Sequence, residues 1–248
     1  LVTLALLIPE CERRGIELTT FTMDHGFKGE QTWENIRATI KYFGIEKNHL
    51  NIDHSQLPAD TASIISEMGT GFTTEGFFAE AYKKGVLPCG KLCNSLTRRS
   101  YSEMIEQAGV KEMITGGDTP KMGEDDRFSI HWNPEPGINI VRGAAGFGLS
   151  KDFNAEYVEK NQIPWGNPGC GGYDRDCLIP GAILHNALEG NPEIELERVI
   201  REFPILIDYF SERVRWKIIK RETALKQIKT IEISSPSCMR EIEELTRT

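Results

Sequence analysis

Four cysteines are the residues of this sequence whose types and spacing most directly indicate chemistry. Cys89 and Cys93 lie four residues apart in the stretch P-C-G-K-L-C-N-S-L-T-R-R, just before a predicted helix start. Residues four apart share one face of a helix, so both sulfurs can point at one ion. Cys170 and Cys177 lie much later in the chain, among glycines whose backbone can wrap closely around a ligand. The two pairs predict one shared site, provided that the fold brings the two loops together.

These cysteines allow three interpretations: metal or iron–sulfur ligation, redox or persulfide catalysis, and thiols buried in the core. Thiolate sulfur binds zinc and iron–sulfur clusters alike, whereas free cysteine is also a common core residue. Four sulfurs without water favour structural zinc, and three leave an open coordination position. The polar setting, rich in glycine and proline, favours ligation. Cys11 is interpreted as a core thiol on a helix and Cys238 as an exposed thiol in a tail.

The composition bounds the class of protein. The chain has 248 residues, of which 39% are hydrophobic and 27% charged, as is typical of a soluble globular protein. The net charge of −8 excludes a globally basic nucleic-acid-binding surface and leaves only a local patch. The apolar residues 1–8 are too few to span a membrane, and the pattern of a signal peptide is not seen. Six cysteines in this setting argue against a disulfide framework and for metal or catalytic use. The expected location is cytoplasmic.

Strands that alternate with helices predict a parallel sheet in an α/β fold. The β-branched and apolar runs predict strands over residues 16–23, 49–54, 111–115 and 138–142. Helical spacing and stop signals predict helices over residues 1–14, 30–43, 59–68, 74–84, 94–107, 174–189 and 193–229, with a further helix starting at Ser150. In the helix over 30–43 the spacing of the apolar residues Trp33, Ile36, Ile40 and Phe43 predicts an amphipathic face.

Three polar, glycine-containing turns follow predicted strands, at residues 24–27, 116–118 and 143–148. Ligands bind beyond the carboxyl ends of the strands in such sheets, so these turns are the expected edge of the site. Residues 119–137 form a predicted loop rich in Pro, Gly and acids. The expected division is a domain over residues 1–190 and a helical C-terminal extension over residues 191–248.

The order of these elements resembles that of the PP-loop ATP pyrophosphatases, in the adenine nucleotide alpha hydrolase superfamily. The resemblance covers residues 1–190 and rests on five motifs: M-D-H-G-F, I-T-G-G-D-T-P, I-N-I-V-R-G, S-K-D-F-N-A-E-Y and I-P-W. It implies a three-layer, Rossmann-like parallel sheet with helices on both faces. The family's S-G-G-x-D-S loop would fall directly before Leu1, where an apolar helical pattern already starts, and we expect it upstream.

The resemblance implies a nucleotide site at the strand ends. Met23, Asp24, His25, Gly26 and Phe27 would form an adenine platform, with backbone near Met23 meeting the purine edge. Gly116 and Gly117 would let the chain pass the ribose and phosphates, and Asp118 would be a catalytic acid that helps to hold Mg²⁺. The alternative is that both segments are ordinary turns.

Within the superfamily, the cysteines resemble those of the iron–sulfur tRNA thiolases. Cys89, Cys93 and Cys170 fall in the places of three cysteines that hold a [4Fe–4S] cluster and leave one iron open to bind sulfur. Cys170 would accordingly be catalytic as well as a ligand. Three residues separate the first two cysteines here, where the thiolases usually have two, and Cys177 is an additional candidate ligand.

The expected function is ATP-dependent adenylation of a substrate oxygen, with release of pyrophosphate and transfer of sulfur, and with tRNA as the acceptor. Expected partners are ATP, tRNA and a sulfur donor, with a second copy of the chain as a further candidate. The basic residues between 213 and 229 are interpreted as a solvated helix face, and a confined patch that contacts the phosphates of RNA is the alternative. One alternative is an adenylating ligase or amidotransferase with a structural Zn²⁺ site, and another is a non-catalytic nucleotide-binding protein.

Overall fold

The computed structural model describes residues 1–86, 88, 91–110, 112–116, 121–122, 128–129, 131–132, 139–149, 151–165, 177–187, 207, 210–211, 214–215, 217, 219–229 and 236–247. The helices are α1 Val2–Arg14, α2 Glu30–Phe43, α3 Ala62–Met68, α4 Thr74–Lys83, α5 Lys91–Ala108, α6 Gly143–Gly146, α7 Lys151–Lys160, α8 Leu178–Ala187, α9 Arg221–Lys229 and α10 Pro236–Leu245. The strands are β1 Thr20–Asp24, β2 His49–Asp53, β3 Glu112–Thr115, β4 Lys121–Met122, β5 Phe128–Ser129, β6 His131–Trp132 and β7 Asn139–Arg142.

Two parallel strand pairs form the framework. β1 pairs with β2 in parallel, with Asp24 opposite Asp53 at the carboxyl end. β3 pairs with β7 in parallel, with Thr115 opposite Arg142. β6 adds to β7 in the antiparallel sense, and β4 pairs with β5. These pairs agree with the α/β class, and the described strands are not joined into one sheet, so the three-layer arrangement stays a prediction.

The helix ends follow from local chemistry. Gly44 ends α2 in the left-handed conformation, with φ of 65°, and the N–H of Ile45 donates to the carbonyl of Ile40. Thr61 and Thr73 cap α3 and α4 by accepting backbone N–H groups through their hydroxyls. The stop at Gly44 was predicted from the sequence, whereas the cap at Thr61 makes α3 start three residues later than the predicted helix over residues 59–68.

The burial of α2 differs from the prediction. Its most buried residues are Thr32, Asn35 and Thr39, and the Thr39 hydroxyl donates to the carbonyl of Pro164 over 3.3 Å. The four apolar residues of the predicted face, Trp33, Ile36, Ile40 and Phe43, are only half-buried. The helix was therefore predicted correctly, but its most buried residues are polar, and one of them contacts a residue far along the chain.

A large core cluster gathers residues from α3, α4, α5, α8, α9 and α10. Met239 and Ile242 of α10 belong to it, together with Phe27 and Leu178. The C-terminal segment, expected to be a tail beyond residue 229, thus contributes a packed helix. Residues 188–206 lie outside the described part, so the boundary at residue 190 stays a prediction.

The predicted helix over residues 193–229 is interrupted. Lys217 has φ of 57°, its N–H donates to the carbonyl of Val214, and α9 starts only at Arg221. A second, smaller cluster of Ile105, Met113 and Ile140, with Phe21 and Tyr101 against it, packs α5 on β3 and β7 and contacts β1.

We predict that Gly143→Ala destabilises the fold by about 1–3 kcal/mol, the usual cost of overpacking a core. A methyl group there would lie 2.6 Å from Thr3 Cγ2 and 2.9 Å from Ile114 Cγ2. Urea unfolding measures the change. Gly116→Ala is the control, because no heavy atom lies within 4 Å of the added methyl group. Equal stability of Gly143→Ala and the native protein would contradict this packing.

Candidate functional site

The turn after β1 is built from short-range hydrogen bonds. The Gly26 N–H donates to Asp24 Oδ1 over 2.8 Å, and the Phe27 N–H donates to His25 Nδ1 over 3.2 Å. Gly26 has φ of 87°, which favours glycine. This part of the predicted nucleotide site is therefore a turn of defined geometry, and Met23 lies half-buried in the strand that leads into it.

The His25 side chain is a core group. It is 6% exposed, and its ring lies 4.7 Å from that of Phe78. Burial, with a smaller contribution from the charge of Lys28, lowers its pKa to about 3. The ring is thus neutral at neutral pH, which suits Nδ1 as the acceptor from Phe27. Any contact of this residue with a nucleotide would have to use its backbone.

Gly26 has a neighbour that sequence reasoning missed. A methyl group on Gly26 would lie 3.1 Å from Glu75 Cγ, because the first turn of α4 covers the strand-end turn. Gln56 holds the Glu75 carboxylate by donating from Nε2 over 2.7 Å. The side chain of Glu75 therefore occupies part of the space that the missing side chain of Gly26 leaves open.

The end of β2 carries a second acidic turn beside the first. Asp53 is opposite Asp24 in the register, and its Oδ1 accepts the Ser55 N–H over 2.8 Å. Hydrogen bonds from Ser55 lower the pKa of Asp53. The His54 N–H donates to the Asp24 carbonyl over 2.8 Å. Asp53 and His54 were not selected from the sequence, although an acid at a predicted strand end was a usable signal.

The other parallel pair ends in Thr115 and Arg142. Gly116 follows β3 and is exposed, and the predicted residues Gly117 and Asp118 lie outside the described residues. The positive charge of Arg142 acts to lower the pKa of Tyr101, although burial dominates and raises it. Arg142 therefore places a guanidinium near α5 at the end of β7. This arginine belongs to the motif I-N-I-V-R-G, but it was not predicted as a site residue.

Two of the four predicted cysteine ligands are described. Cys93 lies in the first turn of α5, and its N–H donates to the Pro88 carbonyl over 2.7 Å. Cys177 directly precedes α8. Both are half-buried thiols that pack against the same large core cluster.

Cys177 is also close to the turn after β1. The N–H of the next residue, Leu178, donates to the Phe27 carbonyl over 2.9 Å. Cys89 and Cys170 lie outside the described residues. Among the residues that are described, no group of three His, Cys, Asp or Glu side chains could hold a metal ion, so the shared metal site stays a prediction.

Comparison with known proteins found two relevant similarities. An uncharacterized protein of Methanocaldococcus jannaschii is 25% identical over 228 residues, which are 91% of this chain and 66% of that protein. Argininosuccinate synthase of Pyrococcus furiosus is 24% identical over 218 residues, which are 86% of this chain and 48% of that protein. The chain thus spans about two thirds of the first and about half of the second.

No protein-family model and no solved structure matches the chain. Argininosuccinate synthase is a PP-loop ATP pyrophosphatase, so this distant similarity weakly supports the superfamily to which the motifs pointed. It lends no support to the thiolase branch, sulfur transfer or a cluster. None of the described helices is long and apolar enough to cross a membrane.

We predict that acid weakens the fold partly through His25. Its pKa is lower in the folded protein, about 3, than in the unfolded chain, about 6.5. Its contribution is therefore complete above about pH 6.5 and is lost as the pH falls towards 3, by at most about 1.4 kcal/mol per pH unit. Chemical unfolding of His25→Asn at several pH values should give a flatter profile, since Asn can still accept the Phe27 N–H.

His49→Asn is the control for this prediction, because His49 lies half-buried at the amino end of β2. Its profile should stay closer to that of the native protein. Parallel profiles for the native protein and His25→Asn would show that the buried ring does not set the acid sensitivity.

Proposed function

We propose that this protein is an ATP-dependent adenylating enzyme. The observation that carries the proposal is the similarity to argininosuccinate synthase, which extends over 86% of this chain. The strand-end geometry supports it, since two parallel strands end side by side in polar turns, the position at which α/β sheets bind ligands.

In the proposed reaction, a substrate oxygen attacks the α-phosphorus of ATP. A new phosphorus–oxygen bond forms, the bond to the bridging oxygen of the β-phosphate breaks, and pyrophosphate leaves with the electron pair. The substrate then carries AMP, a better leaving group than the original oxygen. A sulfur or nitrogen nucleophile would next displace AMP.

The chain's own groups have separate roles in this proposal. Backbone near Met23 would contact the adenine, and the turn through Gly26 would set the distance between the adenine and the sheet. Gly116 and Gly117 would let the backbone run close to the ribose and phosphates. Asp118 would help to hold Mg²⁺, which offsets phosphate charge when it is bound.

Sulfur transfer to tRNA is the finer form of the proposal. Cys177 supports a cysteine site beside the strand-end turn by its position, since the N–H of the next residue binds the Phe27 carbonyl in that turn. Cys89 and Cys170 would complete it, and a [4Fe–4S] cluster or Zn²⁺ there would bind through thiolates. Cys93 and Cys177 are the two of these donors that lie in the described part of the chain.

An RNA partner has limited support from the C-terminal region. Five basic side chains between α8 and the end of α9 are exposed: Arg215, Lys217, Lys220, Arg221 and Lys226. Exposed Lys and Arg can contact the phosphates of an RNA acceptor. A homodimer and a cytoplasmic location stay predictions.

The second candidate is a ligase that adenylates a carboxylate or sugar and delivers nitrogen, with zinc in a structural role. The similarity to argininosuccinate synthase, an ATP-utilising ligase, favours it. The non-catalytic alternative keeps nucleotide binding without turnover.

We predict that the protein, with ATP, Mg²⁺ and its acceptor, releases pyrophosphate and AMP in equal amounts. Unfractionated tRNA with a persulfide donor tests the first candidate, and small carboxylates and sugars with ammonium test the second. The stimulating acceptor decides between them, and ATP binding without turnover would support the non-catalytic alternative. Release of ADP and phosphate would contradict the proposal.

Asp118→Ala should lower turnover by at least about tenfold, since it removes a carboxylate expected to hold Mg²⁺. Glu46→Ala is the control, because Glu46 is an exposed acid in a short helical turn away from the strand ends. Equal turnover of both variants would identify Asp118 as a turn residue only.

We also predict that anaerobically purified protein contains a thiolate-bound metal. Iron with acid-labile sulfide would favour sulfur transfer, whereas zinc alone would favour the ligase. Cys93→Ser should lower the metal content, while Cys11→Ser on α1 should retain it. Native protein free of iron and zinc, or equal contents in the two variants, would contradict the site.

A further inference from the structure

A buried polar relay connects the end of β2 to α5. His54 directly follows β2, and its Nδ1 lies 2.7 Å from Ser100 Oγ. Its Nε2 lies 3.4 Å from Glu103 Oε2. His54 and Ser100 are each 4% exposed. Both ring nitrogens thus face polar groups of one helix inside the protein.

Ser100 has two partners on this side of the ring. Its Oγ lies 2.7 Å from His54 Nδ1, and its hydroxyl donates to the Leu96 carbonyl over 3.0 Å. The His54 ring therefore lies between a hydroxyl and a carboxylate of α5, with Glu103 at its Nε2 side.

The charges around the ring agree with a neutral histidine. Burial is the largest influence and lowers the pKa of His54. Glu103 on α5 and Asp53 on β2 act to raise it, while Arg99 on α5 acts to lower it. Glu103 divides its carboxylate between the ring and Arg99, whose Nε donates to Oε1 over 2.9 Å.

Arg99 extends the relay to the far end of the loop that follows β2. Its Nη1 donates to the Pro58 carbonyl and to Asp60 Oδ1, each over 2.9 Å. Three side chains of α5, from Arg99, Ser100 and Glu103, therefore hold residues 54–60 at both ends. Besides these side-chain contacts, the loop makes an isolated bridge between Pro58 and Thr73.

The opposite side of the loop contacts the candidate site. The Ser55 carbonyl accepts the Glu75 N–H over 2.9 Å, and the Leu57 carbonyl accepts the Thr74 N–H over 2.7 Å. These bonds hold the start of α4, whose Glu75 covers Gly26. The His54 N–H binds the Asp24 carbonyl, so one residue links both strand ends to α5.

We propose that His54 is a positioning residue that locks the carboxyl ends of β1 and β2 onto α5. Its backbone N–H binds the Asp24 carbonyl, and its ring contacts Ser100 through Nδ1 and Glu103 through Nε2. Leucine would fill the space and make neither ring contact. The consequence of the lock for ATP binding, a preorganised strand-end turn, rests on the proposed function.

The first test is the ¹⁵N NMR spectrum of the histidine side chains in the native protein. His54→Gln identifies the resonances of His54. We expect the Nδ1 resonance to shift in Ser100→Ala, because Nδ1 loses its hydrogen-bond partner, and we expect the ring to titrate below about pH 6.5, the value of an exposed histidine. A His54 spectrum that is unchanged in Ser100→Ala, or a ring that titrates like an exposed histidine, would overturn the contact.

The second test is amide hydrogen exchange in His54→Leu. Amides of residues 24–27 and 54–60 should exchange about tenfold faster, the factor expected when a buried hydrogen bond is lost. His54→Gln, which retains a donor towards Glu103, should fall between His54→Leu and the native protein. His49→Leu, at the other end of the same strand, should leave these amides unchanged.

Ser100→Ala removes one hydroxyl and keeps the proposal testable if His54→Leu does not fold. It should accelerate the same amides by a smaller factor. Unchanged exchange in these segments, or a uniform acceleration over the whole chain, would overturn the lock in either variant.

The third test is the dissociation constant for ATP with Mg²⁺, which should rise about tenfold in His54→Leu relative to His49→Leu. Unchanged affinity together with faster exchange would reject the link between the lock and the nucleotide. Native protein that binds no ATP would reject the proposed function, while the NMR and exchange results would still decide whether His54 is a lock.

Discussion

The complete burial of the Phe27 side chain is the contact on which the strand-end geometry depends. Phe27 packs on Phe78, with ring centroids 6.0 Å apart, and shares its core cluster with α8 and α10. Burying a side chain of this size stabilises a fold by about 1.5–3 kcal/mol. Because Phe27 is only three residues beyond Asp24, seating its ring in the core sets the path of the chain as it leaves β1. The turn at the edge of the sheet is therefore held from below by apolar packing.

The same edge is held from the side by polar groups that satisfy one another. Asp24 and Asp53 each accept a backbone N–H two residues further on, so the two adjacent acids shape their own turns. His54 then joins both turns to α5. A site built in this way presents a fixed backbone to a ligand, and a fixed backbone lowers the ordering cost of binding. Apolar packing under the turns and hydrogen bonds beside them thus both fix the backbone at this edge of the sheet.

Several elements were predictable because their signals are local. The stop at Gly44 and the threonine caps at residues 61 and 73 act within one turn of the chain. The helix break at Lys217 was missed, since neither glycine nor proline marks it. No helix was predicted over α10, yet Met239 and Ile242 of this helix are buried in the large core cluster.

The sequence by itself determined the α/β class, the positions of most helices and strands, and the placing of M-D-H-G-F at a strand end, because periodicity and capping act over a few residues. Only the tertiary structure decided that α2 buries its threonine face, that the His25 ring enters the core and that Glu75 covers Gly26. It alone placed His54 against α5. Each of these features depends on contacts between residues that lie 46 to 125 positions apart in the sequence, or on which face of a helix or strand packs against its neighbour. Such contacts leave no periodic pattern in the sequence, since the partner's position follows from the packing of the whole core.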